Sequence, residues 1–247
     1  MRNFMWIFRH YMKKNFLNPT NLLIIGLPLV FSAAFVLLDN FILQETDGMV
    51  GGMMYGAVMA MVLAFQFFGA DLTANWLHHD IKGVQRARLL VSPIAPRTFY
   101  VGVVAAGWLF NVVYGSIVVG ITHISFFGTE WGNLGLVLVI LLFLSMMSQL
   151  VGLMIFYGTK DEKSGARMAY VFGEIMAGVS LLPIIMVNMV ENLPGAVVAI
   201  TNHLPVSAGL NIVNGESIPY NLAVLAGITA VVAAIALLIG RQRNDNL

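Results

Sequence analysis

Six apolar runs, at about 22–38, 50–74, 99–125, 134–157, 168–189 and 221–240, are separated along this chain by shorter polar segments. A helix rising 1.5 Å per residue needs roughly 20 mainly apolar residues to cross about 30 Å of hydrocarbon. The runs are continuous and lack the residue-by-residue alternation of barrel strands, so helices are the expected spanning elements. The pattern predicts an all-α polytopic membrane protein, a single domain over residues 1–247 with six transmembrane helices.

The polar-aromatic leader, residues 1–18, projects as an amphipathic helix. At about 100° per residue, Phe4, Met5, Ile7, Phe8, Tyr11, Met12 and Phe16 share one half of the wheel, and Arg2, Asn3, Arg9, His10, Lys13 and Lys14 the other. Trp6 falls on the wrong half. A basic helix of this type is expected to lie flat at the headgroups, as a simple anchor or also in touch with a cytosolic partner. Asn18-Pro19 ends it, because the residue before proline is pushed out of helical geometry. The first apolar run follows this leader and is itself span-length, so it reads as retained rather than as a cleaved signal.

Charge sets the topology. The 13 Lys and Arg residues fall before the first run (Arg2, Arg9, Lys13, Lys14), after the second (Lys82, Arg86, Arg88, Arg97), after the fourth (Lys160, Lys163, Arg167) and after the last (Arg241, Arg243). Segments 39–49, 126–132 and 190–220 carry only acids: Asp39, Glu45, Asp47, Glu130, Glu191 and Glu216. By the positive-inside rule both termini are expected in the cytosol of a multi-pass cell-membrane protein, prokaryotic by expectation. With 59% apolar and 10% charged residues the chain is far from soluble composition, and a net charge of +1 gives no case for a nucleic-acid partner. Zero Cys excludes disulfides, thiolate metal sites and a cysteine nucleophile. The 24 Gly, in groups such as Gly51-Gly52-Gly56 and Gly115-Ser116-Gly120, suit close helix packing rather than phosphate binding, and the 15 Met suit gap-filling.

Between the second and third runs, residues 75–97 form a charged segment in which Leu89, Leu90 and Val91 stand immediately before Ser92-Pro93. With Asp80, Gly83 and Arg86 ahead of that Leu-Leu-x-Ser-Pro ending, the chain resembles the ABC-2 type permeases, the membrane subunits of a large group of ABC exporters. The segment 191–220, cut by Pro194, Pro205 and Pro219, extends the resemblance: its two pieces each open on proline, a residue suited to a first helical turn, and Gly215 can close the second. It resembles the external re-entrant helical hairpin of that family, with His203-Leu204-Pro205 at the start of the second limb.

The resemblance implies an exporter half. Two permease subunits, identical or related, would face each other and be driven by two cytosolic ABC ATPase subunits that bind ATP and Mg. This chain has no Gly-x-x-x-x-Gly-Lys-Ser/Thr loop, so the ATPase is expected to be a separate polypeptide and no cofactor is expected here. The implied ATPase-coupling residues are Asp80, Gly83, Arg86, Arg88, Leu89, Leu90 and Pro93, with Lys160 and Lys163 in a second contact, 158–167. Both loops also have the composition of solvated positive-inside connectors.

Two acids lie near or inside apolar runs. Asp71, near the cytosolic end of the second, reads as a capping or interfacially solvated residue. Glu174 lies seven residues above Arg167, about 10 Å along the helix, and is a candidate for the translocation pathway or gate, or for a buried contact at the subunit seam. No catalytic set is visible. His10, His78, His79, His123 and His203 form no His-Glu-x-x-His, and the adjacent His78 and His79 diverge by about 100° on a helix, which disfavours chelation of a metal. The expected function is export of a hydrophobic or amphipathic compound, such as a drug, antimicrobial peptide or lipid-like molecule. The alternatives are an ion-gradient-driven secondary transporter and an intramembrane enzyme.

Overall fold

The computed structural model describes residues 2–42, 49–83, 91, 94–125, 131–189 and 203–244. Among them every regular element is helical. In order these are α1 (Arg2–Leu17), α2 (Pro19–Ile42), α3 (Met49–Ala64), a 3-10 segment (Phe65–Gly69), α4 (Ala70–Leu77) and a π turn (His78–Lys82). They are followed by α5 (Pro96–Ser125), α6 (Leu134–Gly158), α7 (Glu162–Met189), α8 (Pro205–Val213) and α9 (Ile218–Asn244). Four helices among the described residues are long and apolar enough to cross a membrane: Tyr55–Lys82, Pro96–Ile124, Leu134–Gly158 and Ile218–Gln242.

The helix running through α3, the 3-10 segment and α4 is the centre of the molecule, since 83% of its most apolar stretch is buried, against 11% for α9. It packs against α5, α6 and α7, while α9 covers α6 from outside. The main core joins Val58, Leu63 and Phe67 of this helix to Val118 of α5, Ile140 and Leu144 of α6, and Ile212 of α8. Burying such side chains stabilises by roughly 1.5–3 kcal/mol each in water, whereas between lipid-embedded helices close fit has to do the work. Glycine provides that fit. A Cβ at Gly115 would stand 2.6 Å from Gln66 Nε2, and one at Gly152 would run into the Ala70 carbonyl. Gly120, grouped with Gly115 by sequence, has open space instead.

Three elements differ from the hydropathy pattern. The helix expected to end at residue 74 continues through α4 and the π turn to Lys82 and ends at Gly83, where the backbone becomes extended. Helix α7 starts at Glu162, ahead of its apolar run, because Asp161 caps it: its carboxylate accepts hydrogen bonds from Ser164 N and Ser164 Oγ, both at 2.9 Å. Those bonds, the backbone one foremost, hold the Asp161 carboxyl below its ordinary range. Helix α1 packs its Ile7 and Tyr11 face onto α5 and not onto lipid, with Ile7 filling the space above Gly102. Trp6 therefore stands on the outward face. Of the expected hairpin 191–220, the second limb is helical as α8, with Pro205 in its first turn and Gly215 after its end at φ +78°. The first limb, with Pro194, lies outside the described residues.

Candidate functional site

Midway along the central helix, the 3-10 segment takes carbonyls out of the regular i to i−4 ladder. In hydrocarbon an unsatisfied carbonyl costs several kcal/mol, so each needs a partner. Ala70 N donates to Phe67 O and Phe68 O, and side chains from two neighbouring helices add further bonds. Asn111 Nδ2 on α5 donates to Gln66 O at 2.8 Å, Ser148 Oγ on α6 to Phe67 O at 3.2 Å, and Gln149 Nε2 on α6 to Gly69 O at 2.9 Å. The amides are themselves held: Thr73 Oγ1 donates to Gln149 Oε1 at 2.6 Å, and Ser145 Oγ to Gln66 Oε1 at 3.0 Å. All six of these side chains are buried. The cluster fixes where and how the central helix departs from α-geometry, a departure that often marks a hinge.

Asp71 follows directly, in the first turn of α4. The interfacial solvation expected of it does not occur, since the residue is 8% exposed and its Oδ1 is buried without a hydrogen-bond partner among the described residues. The physical reason is the packing of α4 against α6 and α7, which covers most of the side chain.

At the far end of the same helix a second polar cluster surrounds the π turn. Tyr11 of α1 donates its phenol to Asp80 Oδ2, which also pairs with Lys14 Nζ at 3.5 Å. Burial, and then the bond to Asp80, push the Tyr11 phenol above its ordinary range and keep it a donor. Trp76 Nε1 donates to Asn15 Oδ1 at 2.7 Å, and Lys14 Nζ lies 4.6 Å from the centre of the Trp76 ring. His79 stands between two carboxylates, 3.9 Å from Asp80 Oδ1 and 3.7 Å from Glu162 Oε2. Lys82 Nζ closes the end of α6 by donating to Phe156 O at 2.9 Å and Thr159 O at 2.6 Å. His78 Nε2 lies 2.7 Å from Thr159 Oγ1. Helices α1, α4, α6 and α7 thus meet at one knot beside Gly83.

Of the residues proposed for ATPase coupling, Asp80 is inside this knot, 4% exposed, facing α1 and not outward. Gly83, Lys160 and Lys163 are exposed beside it, and Arg86, Arg88, Leu89, Leu90 and Pro93 lie outside the described residues. Glu174 is elsewhere, on the outward face of α7 in a row with the exposed Met168, Val171 and Ile175. Neither Asp80 nor Asp71 is brought next to it. Sequence reasoning missed Gln66, Asn111, Gln149, Tyr11 and Lys14. For the first three the available signal was an isolated amide inside an apolar run, which calls for a partner as much as a charge does. No group of three or more His, Asp or Glu suited to a metal ion is present among the described residues. Comparison with family models and with curated proteins finds no match for this chain.

Proposed function

We propose that the chain is the membrane-spanning subunit of an ATP-driven exporter of the ABC-2 type, with six spans, cytosolic termini and an external hairpin at 191–220. A second permease subunit and a separate ABC ATPase complete the machine, and ATP and Mg are bound by that partner. The substrate class is a hydrophobic or amphipathic compound leaving the cell, and no reaction is assigned to this chain.

The observation that carries the reading is the anchoring, up to Gly83, of the chain that leads into the segment resembling the ABC-2 coupling segment. That chain is the end of the most enclosed helix, at a knot that also holds α1, α6 and α7. A force on the segment is delivered into the central helix, whose 3-10 break gives it a place to bend. The outward face of α7 supports a paired arrangement. A carboxylate facing lipid at mid-helix costs roughly 3 kcal/mol, so Glu174 amid Met168, Val171 and Ile175 suits a seam or a wet pathway against a second subunit.

The test is the pair Arg86→Glu with Leu89→Asp. The expected result is a membrane subunit that is still expressed, with its ATPase detached or hydrolysis uncoupled from transport. One feature favours the ion-driven carrier instead, the broken helix next to buried Asp71, since such carriers place ion ligands at interrupted helices. Transport that survives inactivation of the ATPase and follows a proton gradient decides for that alternative.

A further inference from the structure

The bases of α1 are divided by the fold. Lys14 turns inward to Asp80, whereas Arg9 and Lys13 are exposed and make no ion pair among the described residues. The helix contains no acidic residue to neutralise them. On the same side stand large apolar groups, Trp6 at 63% and Leu17 at 68% exposed, with Phe16 also exposed. At about 100° per residue Phe16, Arg9, Lys13, Trp6 and Leu17 fall within an arc of about 100°. Tyr11 and Ile7, on the opposite side, are closed against α5. The Trp6 indole is held flat on the His10 ring, centroids 5.4 Å apart and planes within 5°.

We propose that this outer face of α1 is a docking surface for anionic phospholipid, with Arg9 and Lys13 on the headgroup phosphates and Trp6 and Leu17 inserted at the acyl boundary. Charge complementarity selects an anionic partner, and the spacing selects a sheet. The two apolar anchors are eleven residues apart, about 16 Å along the helix, with the cations between them. Tryptophan and basic residues on one helix face are the pairing that membrane interfaces favour. The inference is independent of the exporter reading, because it uses only the packing of α1 on its own chain.

The experiment uses the full chain, purified, delipidated and re-equilibrated with equal amounts of phosphatidylglycerol and phosphatidylcholine. Retained lipids are counted by native mass spectrometry, and spin labels are attached at Trp6→Cys and Leu17→Cys in a chain with no native cysteine. The wild type should retain phosphatidylglycerol preferentially, and that enrichment should fall on the order of tenfold in the R9Q/K13Q variant, two surface charges near a bilayer. Its helicity should be unchanged, because both side chains are exposed. Both labels should be reached by oxygen dissolved in lipid in preference to a water-soluble nickel chelate. Equal retention of the two lipids by the wild type, or unchanged enrichment in R9Q/K13Q, would overturn the proposal. So would labels open to the nickel chelate, which would assign the face to a soluble partner.

Discussion

Gln149 is the residue on which the shape of the central helix depends most. Its amide donates to Gly69 O and accepts from Thr73, so Gln149→Leu removes a bond to a buried carbonyl and leaves a buried hydroxyl without its acceptor. Leaving a buried group unpaired costs about 1–3 kcal/mol, whereas Ser148→Ala, which removes one longer bond to Phe67 O, should cost less. Thermal unfolding of the purified variants should rank Gln149→Leu well below Ser148→Ala, and equal melting temperatures would dismiss the lock. The two acids separate in a different way. Asp71→Asn replaces a buried carboxylate, one oxygen of which has no partner among the described residues, and should leave the melting temperature equal or raise it. Glu174→Gln changes an exposed side chain and should leave stability alone while altering transport or substrate-stimulated ATPase activity at equal amounts of assembled complex. A fall in stability for Glu174→Gln with normal transport would make it structural.

At the level of elements, α1 and the end of α4 act as one unit through Tyr11, Lys14 and Asp80. A double-mutant cycle of Tyr11→Phe and Asp80→Asn should therefore be non-additive by about 1 kcal/mol or more in unfolding free energy, and simple additivity would mean that the two helices only touch. The helices themselves were legible because hydropathy is a window property: α5, α6 and α9 follow their apolar runs closely. The same averaging hid the 3-10 break, since Phe65-Gln-Phe-Phe-Gly69 is apolar enough to look continuous. It also misread residues 75–82. His78, Asp80 and Lys82 look like solvent-facing loop residues, yet His78 Nε2 meets Thr159, Asp80 Oδ2 meets Tyr11 and Lys14, and Lys82 Nζ meets the carbonyls at the end of α6, while His78 Nδ1 and Asp80 Oδ1 are buried with no hydrogen-bond partner among the described residues. Polarity in a sequence reports a need for partners and does not say whether water or protein meets it. Asp71 was misjudged for the same reason, as enclosure by α6 and α7 is a tertiary fact.

For the whole molecule, the proposed function draws on charge segregation and on the knot at residues 76–83, and it would have a cytosolic ATPase push on the segment that follows the central helix. The candidate coupling residues rest on resemblance alone, because short motifs carry no periodicity, and Arg86, Arg88, Leu89, Leu90 and Pro93 lie outside the described residues. The most direct test exploits the absence of native cysteine. A single cysteine at Gln85, carrying a short photo-activated crosslinker, is irradiated in intact membranes and the product is sequenced. The account predicts a crosslink to a polypeptide that contains an ATP-binding phosphate loop, at a yield that changes when ATP is trapped, and no reaction of residue 85 with an impermeant thiol reagent from outside the cell. Labelling of residue 85 from outside, or crosslinks confined to lipid and to this chain, would contradict it.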